Sequence, residues 1–81
     1  MVYVTLTGNF VHVTGGVAKT EVEARNIRQL FQALSEQFPA LEPHLKEGAA
    51  VALDGVIYQD SWFEAIPDGS EVHLMPAIGG G

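Results

Sequence analysis

The chain lacks cysteine and holds few basic residues, and both features restrict what it can do. Without cysteine there is no disulfide, no thiolate metal ligand and no cysteine nucleophile, which is compatible with the reducing cytoplasm where we expect the protein to work. Lys and Arg total 4 against 10 Asp and Glu, so the formal net charge is −6. A basic nucleic-acid-binding patch is therefore not expected, whereas a partner with a basic docking face is.

Long apolar runs are also missing. No stretch approaches the ~20 apolar residues of a membrane-spanning helix, and the N-terminus lacks the basic and then apolar regions of a signal peptide, so we expect no membrane association. The 81 residues suit one domain, with little volume for both a core and a deep catalytic cleft. An apolar fraction of 47% and a charged fraction of 17% predict that the chain folds.

Alternating apolar and polar residues, together with turn signals, predict five strands. They lie at residues 2–7, 19–24, 50–53, 56–58 and 72–75. Asp54-Gly55, between the third and the fourth strand, is a strong hairpin signal, and Pro76 is expected to end the fifth. Phe10 to Val13 are interpreted as the end of the first strand or the start of the second, before a turn at Gly15-Gly16.

A single amphipathic helix is predicted between the second and the third strand. Asn26 is expected to cap it, paired with Gln29 in a pattern that resembles a capping box. Apolar residues then recur at spacings of three and four, at Ile27, Leu30, Phe31, Leu34 and Phe38. Pro39 is expected to end the helix, because proline disfavours helical structure in the residue before it.

The segments after the helix carry apolar residues without a clear period. Leu41 and Leu45 are expected to fold back onto the core, although Pro43 should keep their segment irregular. Trp62-Phe63 and Ile66 are expected to form a small apolar cluster within the core.

The order of elements is thus strand, strand, helix, strand, strand, strand. One helix covers one sheet, which gives a two-layer α+β domain. If the first and last strands are parallel neighbours at the centre, the fold is a β-grasp, that is, a ubiquitin-like mixed sheet of four to five strands covered by one main helix. We place this domain at residues 1–75 and a flexible C-terminal tail at residues 76–81.

The tail ends in three glycines, residues 79–81. Such a run cannot pack into a core and loses much entropy when ordered, so it should project into solvent. A frayed terminus or a cloning remnant is one interpretation. The other is chemical: a carboxylate with only Gly80 and Gly81 beside it can enter a narrow channel of another enzyme, which a bulkier side chain would block.

The order and spacing of these segments resemble the MoaD/ThiS family of ubiquitin-like sulfur carrier proteins over essentially the whole chain. The resemblance rests on residues 2–6, 20–24, the Ile27/Leu30/Leu34 helix, and residues 38–41, 51–55, 67–72 and 75–78. Two features depart from the molybdopterin members. Residues 9–14 lack their common Arg-Glu-Leu-like run, and Ala77 replaces a proline frequent in their tails. Both argue against the molybdenum branch and leave the carrier interpretation unchanged.

The resemblance implies a role as carrier rather than enzyme. An E1-like adenylyltransferase would activate the terminal carboxylate with ATP, and a sulfur donor would convert it to a thiocarboxylate. The sulfur would pass to an acceptor enzyme, such as the large subunit of molybdopterin synthase, in molybdopterin, thiamine or related biosynthesis. Gly81 would bear the reactive group, Gly80 would supply the slim neck, and Gly79 would be a tolerated small residue.

Docking contacts are expected near the tail, from Met75, Pro76, Ala77, Ile78 and Gly79, and also from Phe10. Together, Phe10, Met75 and Ile78 would form an exposed apolar patch, with burial of Phe10 as the alternative. The acidic residues near the last turn are expected to be solvated, with docking to a basic partner as the second possibility; they are Asp60, Glu64, Asp68 and Glu71.

No cofactor or metal is expected on this chain. Its three histidines, His12, His44 and His73, do not lie at metal-ligand spacing. A phosphate-binding glycine motif with its lysine is absent as well, so ATP would be bound by the activating partner.

Two alternatives to a sulfur carrier use the same sequence features. A ubiquitin-like protein modifier would form an isopeptide bond through the same tail. A non-enzymatic assembly domain, like the phage tail assembly proteins that resemble this family, would continue past the glycines, so a reading frame that extends beyond Gly81 would favour it.

Overall fold

One mixed sheet and three helices make up the fold. The computed structural model describes residues 1–59 and 61–77. The strands are β1 (Val2–Leu6), β2 (Lys19–Val22), β3 (Ala49–Leu53), β4 (Val56–Tyr58) and β5 (Glu71–Pro76). The helices are α1 (Asn9–Val13), α2 (Ile27–Gln37) and α3 (Glu42–Glu47), with a 3₁₀ turn at Pro39–Leu41 between α2 and α3.

The sheet has the strand order β2-β1-β5-β3-β4. β1 and β5 are parallel neighbours, with Val4 opposite Val72, and the other three pairings are antiparallel. The first and the last predicted strand are therefore parallel neighbours at the centre of the sheet, which meets the condition stated for a β-grasp. This arrangement confirms the predicted α+β class and the β-grasp topology.

Apolar residues on one face of the sheet meet the apolar stripe of α2. In β1 the residues that point toward the helix are at most 2% exposed, and those of β5 are fully buried. The buried set from these elements is Val2, Val4, Leu6, Ile27, Leu30, Phe31, Leu34, Val72 and Leu74. The helices lie on this side only, so the opposite face of the sheet is left uncovered by α2.

The start of α2 is capped as the sequence predicts. The Asn26 side chain accepts a hydrogen bond from the Gln29 N–H at 2.8 Å, and the Gln29 side chain accepts one from the Arg25 N–H at 2.8 Å. The loop after β4 also contributes, because the Trp62 carbonyl accepts the Arg28 N–H at 2.8 Å. These bonds hold the loop against the first turn of α2.

The segment after β1 is helical, so the interpretation of Phe10 to Val13 as strand is wrong. Gly8 has a φ of 59° and redirects the chain into α1. Phe10 is only 3% exposed and belongs to the core. Burial of this ring outweighs the β preference of the local Phe and Val residues.

The segment before β3 is also helical, so the predicted irregular structure around Pro43 is wrong. Pro43 lies in the first turn of α3, where a helix has no use for its missing N–H. Leu41 and Leu45 are 0% and 4% exposed, which confirms that both fold back onto the core.

The predicted apolar cluster after β4 is only partly in the core. Ile66 is 4% exposed, as expected, but Trp62 is 41% and Phe63 is 80% exposed. The prediction that these two aromatic residues belong to the core is therefore wrong. The backbone of this loop is held to the start of α2, and that position leaves the two rings at the surface.

Candidate functional site

The four residues that would carry and flank the reactive group lie outside the described residues. Ile78, Gly79, Gly80 and Gly81 therefore remain predictions from the sequence. What the structure describes is the place where the chain leaves the fold, at Met75, Pro76 and Ala77. We call this the tail base.

The tail base is the end of a central strand. Met75 lies opposite Ala50, and Pro76 lies opposite Ala49, so β5 includes the first residue that we assigned to the tail. Pro76 has no N–H to donate, which suits the last position of a strand. Because β5 has β1 on one side and β3 on the other, the chain leaves from the middle of the sheet end.

Thr7 fixes β5 immediately before the tail base. Its N–H and its hydroxyl both donate to the Leu74 carbonyl, at 3.2 and 2.9 Å. Thr7 follows the last residue of β1 and is half-buried. Two donors on one carbonyl hold the strand at the residue before Met75. The sequence does not indicate this role, because a lone threonine after a strand gives no signal for it.

Gly48 leaves room for Ala77. It has a φ of 134°, a conformation that residues with side chains rarely adopt. A Cβ at this position would lie 3.3 Å from the Ala77 Cβ. Since Gly48 joins α3 to β3, the end of the helix and the start of the tail pass each other closely here. No local sequence signal marks this glycine either.

The uncovered side of the sheet provides a surface next to the tail base. We call it the outer sheet face, and alternation along the paired strands assigns to it Tyr3, Thr5, Lys19, Glu21, Ala50, Ala52, Ile57, Glu71, His73 and Met75. Its apolar part adjoins the tail base. Met75 is half-buried beside Ala50, and Ile57 is 50% exposed beside Ala52.

The far end of the outer sheet face is acidic. Tyr3 lies opposite Glu21 on one side and Glu71 on the other. All three side chains are exposed. The outer sheet face thus changes from apolar at the tail base to negative at its other end.

The N-terminal amine lies near the same acidic end. It contacts Asp68 and lies 3.3 Å from Glu23. The hydrogen bond to Asp68 raises the pKa of the amine, and the donated hydrogen bond lowers the pKa of the Asp68 carboxyl. Asp68, Glu64 and Glu71 are all exposed, as expected, and Asp60 lies outside the described residues. Asp68 differs from the other two in its contact with the amine.

Phe10 does not belong to the exposed docking surface. Phe10 is buried, which was the alternative expectation for this residue. Its ring contacts the His44 ring edge-on at a centroid distance of 6.3 Å. Buried in this way it is not accessible to a partner, so the expectation of an exposed patch that includes Phe10 is corrected.

Within residues 1–59 and 61–77, no group of three or more His, Asp or Glu side chains is arranged to hold a metal ion. No helix in the same part of the chain is long and apolar enough to cross a membrane.

The sequence of the chain matches a known protein family. The family model of the ThiS family matches residues 4–81. No curated protein matches the sequence of the chain.

Solved structures share the fold at low sequence identity. The crystal structure of the Amycolatopsis orientalis BexX/CysO complex contains a chain that is similar with a TM-score of 0.79 and 16% identity, over 100% of both chains. A Pyrococcus furiosus protein named for molybdopterin converting factor subunit 1 has a TM-score of 0.71 and 23% identity, over 94% of this chain and 97% of its own. The small archaeal modifier protein 1 from Methanosarcina acetivorans has a TM-score of 0.73 and 16% identity, over 99% and 95%.

Proposed function

The chain belongs to the ThiS family, and from this premise we propose that it is a ubiquitin-like sulfur carrier whose reactive group is the C-terminal carboxylate of Gly81. An E1-like enzyme binds ATP and catalyses attack of that carboxylate on the α-phosphate, which forms an acyl-adenylate and releases pyrophosphate. Sulfide supplied by a donor then adds to the carbonyl, AMP leaves, and a thiocarboxylate results.

The observation that carries this proposal is the position of the tail base. β5 pairs with β1 on one side and with β3 on the other, and Thr7 donates hydrogen bonds to its Leu74 carbonyl. The tail therefore starts from a fixed position in the fold. Gly80 and Gly81 add no side chain. A rigid domain that ends in a slim terminus suits delivery of a carboxylate into the active site of another protein.

The outer sheet face is the proposed docking surface for the activating enzyme. Met75, Ala52 and Ile57 supply partly exposed apolar surface beside the tail base, with Ala50 fully buried between them. An exposed apolar area of this kind is typical of an interface. The acidic end adds attraction to a basic partner. Pro76 and Ala77 would enter the same contact, followed by Ile78 and Gly79.

The proposed acceptor of the sulfur is another enzyme. The thiocarboxylate gives its sulfur to an enzyme of cofactor biosynthesis, for molybdopterin, thiamine or a related product, and this chain acts as carrier rather than as catalyst. Similarity in fold to a chain of the BexX/CysO complex and to the Pyrococcus furiosus protein supports a role in complex with partner enzymes.

A second candidate function is protein modification. Similarity in fold to small archaeal modifier protein 1 favours it, and the activation step would be the same. The adenylated Gly81 would then be attacked by a lysine amine of a target protein, and an isopeptide bond would form. Conjugates of higher mass in cells that depend on Gly81 would support this function over the carrier.

Pyrophosphate exchange tests the activation step. With the E1-like enzyme of the same organism and ATP, the chain should support exchange of labelled pyrophosphate into ATP. Removal of Gly80 and Gly81 should abolish exchange, and Gly80→Val should reduce it strongly because the neck becomes too wide. Exchange that persists without the two glycines would contradict the proposal.

A further inference from the structure

A second exposed apolar surface lies on the helical side of the sheet, away from the outer sheet face. It is a groove between α2, α3 and the loop after β4, which we call the helical groove. Phe31 and Leu45 are buried beneath it. Trp62 meets Phe31 edge-on at a centroid distance of 5.2 Å, and the neighbouring Phe63 is 80% exposed. The proposed sulfur transfer gives no role to these two aromatic side chains.

The charge along the helical groove changes from positive at the start of α2 to negative near its end. Arg28, Gln32 and Glu36 line it at intervals of four residues, so they follow one another on successive turns. Within residues 1–59 and 61–77, neither the Arg28 nor the Glu36 side chain makes an ion pair or a hydrogen bond. The remaining two charges, Lys46 and Glu42, pair with each other at 2.9 Å. The groove thus balances two bases against two acids in a chain with a net charge of −6.

We infer that the helical groove is a homodimer interface, in which a second copy of this chain lies antiparallel across α2 about a two-fold axis near Gln32. Gln32 is midway between Arg28 and Glu36 in the sequence of α2. A two-fold axis at that point places Arg28 of each copy beside Glu36 of the other. This reciprocity, in which one residue contacts a second and the second contacts the first, is what a symmetric dimer interface requires.

The exposed aromatic residues fit the same arrangement. The loop after β4 is bonded to the first turn of α2, so Phe63 lies at the Arg28 end of the helical groove. In an antiparallel pair, each Phe63 faces the half of the other copy's groove that contains Ser35 and Glu36. The dimer therefore removes two largely exposed phenylalanines from water.

A second copy fits the helical groove better than an unrelated partner because Arg28 of each copy can pair with Glu36 of the other. A purely basic or acidic partner would leave either Glu36 or Arg28 beside a like charge or unpaired. The dimer also leaves the outer sheet face accessible, since that face lies on the opposite side of the sheet. It is thus compatible with the proposed function and does not depend on it.

Sedimentation velocity of the full chain over a concentration series tests the dimer. The unchanged protein should show a reversible monomer–dimer equilibrium. F63S should raise the dissociation constant by about tenfold or more, because the burial of most of one phenylalanine side chain per copy is lost. The matched control is I57S, since Ile57 is 50% exposed on the outer sheet face, and it should leave the dissociation constant unchanged.

A charge swap makes the test specific for the antiparallel arrangement. R28E and E36R should each weaken the dimer, and the double variant R28E/E36R should restore it because the pairs reform with opposite sign. The substituted positions in this and the preceding test are all exposed; they are Arg28, Glu36, Ile57 and Phe63. Circular dichroism checks that each variant is folded. A chain that stays monomeric throughout, equal weakening by F63S and I57S, or no recovery in the double variant would overturn the inference. Pyrophosphate exchange should be unaffected by R28E, which separates failure of the dimer from failure of the carrier function.

Discussion

The hydroxyl of Thr7 donates to the Leu74 carbonyl at 2.9 Å, and the N–H of the same residue donates to the same oxygen at 3.2 Å. These two residues are 67 positions apart in the sequence, and their bonds join the end of β1 to the last buried residue of β5. The tail base begins at the next residue. The start of the tail is therefore fixed by tertiary contacts rather than by the local sequence.

Replacement of Thr7 by valine should remove one of these two bonds while keeping the shape of the side chain. We expect the free energy of unfolding to fall by about 1 kcal/mol, the usual net contribution of a hydrogen bond. Urea denaturation measures it. Thr5→Val is the matched control, because Thr5 is also half-buried in β1 and has no side-chain hydrogen bond within the described residues. Equal losses in the two variants would contradict the role given to Thr7.

Gly48→Ala should destabilise the protein by two effects. The φ of 134° strains any residue with a side chain, at a cost of about 1–3 kcal/mol, and the new Cβ meets Ala77 at 3.3 Å. Gly16→Ala isolates the first effect, since Gly16 has a φ of 100° and open space around its Cβ position. The double variant Gly48→Ala/Ala77→Gly should recover part of the loss in chemical denaturation. If the double variant is no more stable than Gly48→Ala, the contact with Ala77 has no energetic importance.

Ile57→Glu should weaken docking of the activating enzyme without unfolding the chain. We expect kcat/KM for pyrophosphate exchange to fall about tenfold or more, because a charge replaces an apolar contact beside the tail base. Val56 supplies the control: it is the adjacent residue of β4, is 51% exposed, and points to the helical side of the sheet. Val56→Glu should leave kcat/KM close to that of the unchanged chain, and a similar loss in both variants would exclude the outer sheet face as the docking surface.

The contact between the N-terminal amine and Asp68 should make stability depend on pH at both ends of the range. The folded state raises the pKa of the amine, so its stabilisation is complete below about pH 8 and is lost as pH rises through the higher folded pKa. The folded state lowers the pKa of Asp68, so that stabilisation is present above about pH 4 and is lost as pH falls through the lower folded pKa.

Asp68→Asn should therefore remove the loss of melting temperature at low pH that Asp68 causes, and reduce the loss at high pH, where Glu23 still raises the pKa of the amine. Glu64→Gln, which also removes one exposed carboxylate, should keep the pH profile of the unchanged chain. Thermal denaturation followed by circular dichroism at a series of pH values compares them. A profile for Asp68→Asn that follows the unchanged chain at both ends would show that the contact contributes nothing in solution.

Much of the fold was predictable because it is encoded locally. The alternation of Val2, Val4 and Leu6 predicts a strand buried on one face, and the Asn26 cap predicts the start of α2. Each of these signals depends on neighbours within a few residues. The parallel pairing of β1 with β5 was only a condition of the predicted β-grasp, because it joins the two ends of the chain.

The errors arose where tertiary contacts override the local preference. Phe10 lies among residues that favour strands, yet its burial against the core is compatible with a short helix. Pro43 suggested an irregular segment, although proline is well tolerated in the first turn of a helix. Trp62 and Phe63 were expected in the core on hydrophobicity alone, and the loop that carries them is held at the surface by backbone bonds that the sequence does not reveal.

Part of the candidate site was likewise predictable from local sequence, and the rest depends on tertiary contacts. The glycines of the tail are evident from the sequence, whereas Thr7 and Gly48, which fix the tail base, are identified only by contacts across the fold. Ala50 and Ile57 became part of the outer sheet face only once the strand order and register were known. A sequence pattern can indicate which residues react, but the surface that presents them depends on the assembled sheet.

Intact-protein mass spectrometry tests the central claim most directly. The chain is incubated with the E1-like enzyme of the same organism, ATP and a sulfur source, and a parallel reaction contains the chain without Gly80 and Gly81. The account predicts a mass gain equal to the replacement of one oxygen by sulfur, located at Gly81, in the full chain alone. An unchanged mass with an enzyme that does activate the chain in pyrophosphate exchange, or the same gain in the shortened chain, would contradict it.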